Sequence, residues 1–126
     1  MDFHFLPEPS EFKLFLKKFN ACTPILLALA DSCRQKLLID IIQAGKDGIN
    51  VNTLTQMSHL SRPAISYHLK MIRDCGLVKT EKRGTQIFYS VMQSKNFDTF
   101  RDVVQHLNEF VQIIENSVSK DDSVSD

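Results

Sequence analysis

Residues 60–78 read Leu60-Ser61-Arg62-Pro63-Ala64-Ile65-Ser66-Tyr67-His68-Leu69-Lys70-Met71-Ile72-Arg73-Asp74-Cys75-Gly76-Leu77-Val78, and their pattern decides the fold. Ser61 suits a helix N-cap, and Pro63 suits the first turn, where a missing N–H costs little. Ile65, Leu69 and Ile72 recur at helical spacing as an inward stripe, which leaves Arg62, Ser66, Tyr67, Lys70 and Arg73 facing outward. Just upstream, residues 50–58 predict a short helix with Val51, Leu54 and Met57 inward. Two short helices joined by a tight turn, the second polar and basic outside, form a helix-turn-helix pattern. Downstream of Gly76 the period changes. Leu77–Lys82 and Gln86–Val91 read as strands around an Arg83-Gly84 hairpin signal, with Lys79, Lys82 and Arg83 making the first strand and tip basic.

Helices flank this centre on both sides. Phe12, Phe15, Leu16 and Phe19 make one face of a helix over residues 9–20, opposite Lys13, Lys17 and Lys18. A second helix runs through Pro24–Ala30. A third starts at Asp31 or Ser32, carries Cys33, Leu37, Leu38, Ile41 and Ile42 at helical spacing, and ends at Gly45 and Gly48. Towards the C-terminus, Phe97, Phe100, Val104, Leu107, Val111, Ile114 and Val118 alternate by three and four, the seam of a helix that packs along a partner helix. Residues 119–126 read as a disordered acidic tail.

The 126 residues, 43% apolar and 24% charged, suit one globular domain. The expected organisation is a single domain over 1–118, mainly α with a small β-hairpin. Within it, 1–24 and 95–118 are the dimerisation helices, 50–75 the helix-turn-helix and 77–91 the hairpin. Net charge is zero, but basic residues outnumber acidic ones six to two over residues 62–86, whereas acidic residues lead seven to three over 87–126. A local positive field of that kind suits a phosphate backbone. The longest apolar run, Pro24 to Ala30, is far short of the roughly 20 residues that span a bilayer. With Asp2 and Glu8 where an export signal would be basic, an unexported, cytoplasmic protein is expected. Cys22, Cys33 and Cys75 form no paired motif, which suits a reducing compartment.

Residues 60–78 closely resemble the ArsR/SmtB family of bacterial winged-helix regulators, whose recognition helix has the form Leu-Ser-x-Pro-x-Val/Ile-Ser-x-His-Leu before a Gly-Leu-Val strand. Leu29-Ala-Asp-Ser-Cys-Arg upstream is similar to the family's Leu-Ala-Asp-Pro-Thr-Arg, and Gly84 with Phe88-Tyr-Ser-Val matches its hairpin. The resemblance covers residues 25–92 and implies a winged helix-turn-helix that dimerises through its first and last helices on a palindromic double-stranded DNA operator, away from any membrane. It places Arg62, Ser66, Tyr67 and Lys70 in the major groove, with Arg62 suited to guanine and Ser61 to a phosphate, and counts Pro63 and His68 among the DNA-binding residues of the same helix. Lys82 and Arg83 would approach the minor groove or backbone, although Thr85 stands where many members carry a basic residue. The dimer interface would comprise Phe12, Phe15, Phe19, Phe100, Val104, Leu107, Val111 and Ile114. The function implied is transcriptional repression.

The resemblance also points to two metal sites, and neither is complete in this sequence. The family's Cys-Val-Cys thiolate site falls on Asn50, Val51 and Asn52, and amides do not replace thiolates. The zinc site on the last helix keeps its second half as His106 and Glu109, but its first half falls on Gln93 and Lys95. No metal or other cofactor is therefore expected. Cys33 and Cys75 are read as small core or helix-end residues, Cys22 as less constrained, and His68 as bracing its helix or touching a phosphate. His4 and His59 are read as surface residues, and Phe3, Phe5, Phe12, Phe15 and Phe19 as core or interface. No glycine-rich phosphate loop, nucleophile elbow or complete metal triad points to an enzyme. Two alternatives stand beside DNA binding: a winged-helix protein–protein module, and a thiol- or metal-responsive sensor of the same family.

Overall fold

The computed structural model describes residues 8–125, with side chains through residue 117. The expectations for Asp2, Phe3, His4, Phe5 and the Val118 side chain lie outside the described residues. The elements run α1 (Pro9–Ala21), α2 (Thr23–Leu29), α3 (Ser32–Gln43), a 3-10 turn (Gly45–Asp47), β1 (Ile49–Asn50), α4 (Val51–Gln56), α5 (Arg62–Asp74), β2 (Val78–Arg83), β3 (Gln86–Val91) and α6 (Lys95–Ser125). This is the mainly α fold with a hairpin wing that the sequence predicts.

Three helices of the centre each start on a polar side chain that accepts an N–H with no partner inside the helix. Asp31 accepts from Arg34 N–H at 3.0 Å, Asn50 from Thr53 N–H at 2.8 Å, and the Ser61 hydroxyl from Ala64 N–H at 3.4 Å. Their inward faces meet in one core. Ile25 and Ala28 of α2, Leu37 and Ile41 of α3, Leu54 of α4, and Ile65, Leu69 and Ile72 of α5 are buried with Leu77, Val78 and Tyr89. Two expected core residues are not in it: Ile42 and Met57 are exposed. The α3 stripe is Arg34, Leu37 and Ile41, so Ile42 lies about 100° around the helix from it. Met57 follows the last residue of the short α4 and turns away.

The sheet is antiparallel in the order β1-β3-β2. β3 covers Gln86–Val91 as expected, whereas β2 is displaced by one residue to Val78–Arg83, because Arg83 stays in the ladder opposite Gln86 and the turn is Gly84-Thr85. Gly84 takes the positive φ, +63°, that a two-residue hairpin turn requires at its first position. The two-residue β1, which the sequence does not announce, pairs Ile49 with Tyr89. A Cβ on Gly48 (φ +74°) would stand 2.7 Å from the Tyr89 carbonyl oxygen, so only glycine lets the chain come this close.

Residues 22–98 form one compact unit; α1 and the part of α6 from Thr99 onward form another. In the second, the Phe110 ring packs 5.4 Å from Phe12 and 5.1 Å from Phe15, and Phe15 stands edge-on to Phe19 at 5.6 Å. Lys18 reaches Asp102 at 3.9 Å. On α6, Val103 is buried and Phe100 half-buried, while Val104, Leu107, Val111 and Ile114 are 38–53% exposed within the single chain. The α6 backbone is helical to Ser125, past residue 118 where the sequence reading begins a disordered tail. No glycine or proline interrupts 95–125.

Candidate nucleic-acid interface

The outer face of α5 is built by what its inner face must bury. With Ile65, Leu69 and Ile72 fixed in the core, Ser61, Arg62, Pro63, Ser66, Tyr67, Lys70 and Arg73 are all exposed, Tyr67 by 60%. Arg62 borders a polar cleft of about 130 Å³ with Asn50, Asn52 and Val51 at the start of α4, and with Thr85, Gln86 and Ile87 of the wing. Asn50 joins these parts, capping α4 with its oxygen and donating from its amide nitrogen to Gln86 Oε1 at 3.0 Å. The amide in the place of a family thiolate thus has a structural task.

At the wing tip the two basic residues differ. The Arg83 guanidinium lies 4.5 Å over the Phe88 ring and 3.3 Å from a Glu81 carboxylate oxygen, and this pairing holds the Glu81 carboxyl below the usual range. Lys82 is exposed and makes no ion pair with a described residue.

Arg34, which the sequence pattern does not single out, anchors α5. This buried arginine donates from Nε to the Ala28 carbonyl at 2.7 Å and from Nη2 to the Leu27 carbonyl at 3.1 Å, and its Nη1 stands 3.2 Å from Nδ1 of His68. The end of α2 is thereby tied to the middle of α5. A lone arginine on the apolar stripe of α3 was the available signal, since a buried guanidinium requires acceptors on several sides. His68 is half-buried and hydrogen-bonded to Arg34 of α3. The Arg34 N–H that Asp31 caps also holds the Asp31 carboxyl below the usual carboxylate range.

Cys22 and Cys75 are both buried, and burial pushes both thiols up, away from the thiolate state. Cys75 donates to the Ile72 carbonyl at 3.1 Å as part of the α5 C-terminus. Cys33 is half-buried, and with Asp31 and His68 it forms a three-donor group that residues 35 positions apart do not announce in sequence. His106 is exposed on α6, its Nδ1 2.7 Å from the Asp102 carbonyl oxygen, and Gln93 hydrogen-bonds Asp98. Among the described residues no helix is long and apolar enough to cross a membrane.

Residues 50–80, from the α4 cap into β2, match the model of the bacterial regulatory protein arsR family. The arsenical resistance operon repressor of Staphylococcus aureus is 30% identical over 90 residues, 71% of this chain and 80% of that repressor. The chain belongs to the arsR family. The namesake repressor of Bacillus subtilis is 34% identical over 64 residues, 51% of this chain, which spans 59% of that relative's length. Among solved structures, an ArsR-like transcriptional regulator from Rhodococcus sp. RHA1 superimposes with a TM-score of 0.63 over 86% of this chain and 95% of its own, at 19% identity, a likeness of fold. The named relatives are regulators, not enzymes.

Proposed function

We propose that this arsR-family protein is a sequence-specific double-stranded DNA-binding transcriptional repressor that acts as a homodimer. The exposed row Arg62, Ser66, Tyr67 and Lys70, on a helix whose opposite face is locked in the core, carries this reading. A rigid polar helix face with a basic hairpin beside it suits a major groove and its flanking phosphates. Arg62, in the first turn, presents a guanidinium suited to guanine O6 and N7, and Ser61 with the helix start suits a phosphate. Lys82 would hold the backbone beside the groove. Repression is the role of the Staphylococcus and Bacillus relatives, both arsenical resistance operon repressors, and supports the same role here. Dimerisation is supported by the exposed Val104-Leu107-Val111-Ile114 face of α6, since a stripe of large apolar residues left to water calls for a partner. This reading has no thiolate site at Asn50 and Asn52, and no zinc site through Gln93 and Lys95.

A gel-shift selection from genomic fragments at two salt concentrations tests the proposal. Retention of a discrete set of fragments at both, against excess competitor, is the expected result. Equal retention of all fragments, or of none, contradicts sequence-specific binding.

A further inference from the structure

We propose that Asp31, Cys33 and His68 form a binding site for a zinc-class divalent cation, and that filling it takes His68 away from Arg34. One ligand atom from each of the three residues lies within 4.8 Å of the other two. Three atoms so placed share a point no more than about 2.8 Å from each, so shifts of under about 1 Å reach the 2.0–2.3 Å bonds that zinc makes to oxygen, nitrogen and sulfur. The donors are a carboxylate, a thiolate and an imidazole. That set selects a borderline-soft ion such as zinc, cobalt or cadmium over magnesium or calcium, which take oxygen. The carboxylate and thiolate supply two negative charges against the ion's two positive ones, and the thiol proton leaves to water on binding.

Local structure brings the three together. Asp31 caps α3 through Oδ1 and retains lone pairs for a cation, Cys33 is in the first turn of the same helix, and His68 arrives from the middle of α5. All three are half-buried, so the fourth position of a tetrahedral ion is open to water. Cys33 also lines a cleft of about 280 Å³ with Ser32, Lys36, Met57 and His59, which offers a path from solvent. The site is separate from the places where relatives keep metal ligands, Asn50 and Asn52 on one hand and His106 and Glu109 on the other.

The hydrogen bond to Arg34 makes this site a switch. A guanidinium only donates, so Nδ1 of His68, 3.2 Å from Nη1, is the acceptor and the neutral ring carries its proton on Nε2. An ion on Nδ1 replaces Arg34 directly. An ion on Nε2 displaces the proton to Nδ1, where it faces another donor. Either mode costs the bond, so the ion and the Arg34 tie to α5 compete. Any effect on DNA binding rests on the function proposed above, whereas ion binding itself does not.

Cobalt(II) titration of the reduced full chain tests the site without DNA. The expected result is one cobalt per chain with a thiolate-to-cobalt charge-transfer band, displaced stoichiometrically by zinc. The band should vanish in Cys33→Ser. Affinity should fall by about tenfold or more in His68→Gln and in Asp31→Asn, which keeps the helix cap, and should be unchanged in His106→Gln. Absence of the band, its survival in Cys33→Ser, or equal affinity in wild type and His68→Gln overturns the site. Imidazole nitrogen shifts of the zinc-loaded protein should report loss of the His68–Arg34 hydrogen bond, and an unchanged bond overturns the switch.

Discussion

Arg34 illustrates how one buried cation can serve an apolar core. Its guanidinium donates to the Ala28 carbonyl at the end of α2 and to the Leu27 carbonyl, which also accepts the Ala30 N–H, and offers a further donor to His68. Arg34→Met fills similar space but removes the donor to the Ala28 carbonyl, one of the two donors to the Leu27 carbonyl and the tie to His68. It should cost about 2–3 kcal/mol, read as a lower urea midpoint at unchanged slope. Asp31 supplies a pH dependence of defined sign. Its carboxyl lies below its unfolded value because the Arg34 N–H favours the charged form. Its contribution is therefore complete above the ordinary aspartate range, near pH ~4, and is lost as pH falls through the lower folded value. Asp31→Asn keeps the cap and should flatten part of the acid limb of a urea-stability profile from neutral pH to pH ~2. An acid limb identical to wild type contradicts the assignment. Residue by residue, the outward and inward positions of α5 were legible because a 13-residue helix with a strict apolar stripe leaves no freedom about which side faces the core. The Arg34–His68 pair and the Asp31-Cys33-His68 group were not, because they depend on how α3 and α5 cross.

At the scale of elements, the wing tip divides its two basic residues between holding the hairpin and facing outward. Arg83 is committed to Phe88 and Glu81, whereas Lys82 has no such tie among the described residues. Lys82→Ala should weaken specific and non-specific DNA about equally and lower the salt slope of binding by roughly one per lost phosphate contact. Arg83→Ala should lower the slope less and reduce stability more. Equal slope changes in the two variants, measured by salt titration on matched and scrambled duplexes, contradict this division. The same hairpin marks a limit of sequence reading. Its strands were evident as β-rich runs on either side of the Arg83-Gly84 turn signal, but β1 is two residues long and has no periodicity to detect. In sequence Gly48 signals only a helix stop, and the closeness of Tyr89 is what excludes a side chain there. Met57 fails for the opposite reason: its spacing from Leu54 is helical, but α4 has already ended.

At the scale of the whole molecule, the α6 pattern contains two messages that a linear reading merges. Phe110 and its neighbour His106 meet Phe12 and Phe15 of α1 within the chain, while Val104, Leu107, Val111 and Ile114 are left to water. The strict spacing of three and four was visible in sequence, but which residues are used inside one chain was not, because α1 fills the position beside the seam. The account makes dimerisation and operator binding inseparable, since a single half-site offers too few contacts and two half-sites about one helical turn apart require two chains. The most direct measurement is sedimentation velocity of wild type and Leu107→Glu/Val111→Glu, alone and with a fragment retained in the genomic selection. Wild type should sediment as a dimer and bind as two chains per duplex, and the variant should be a folded monomer that has lost specific binding. A variant that stays dimeric, or a monomer that binds the fragment with wild-type affinity, contradicts the account.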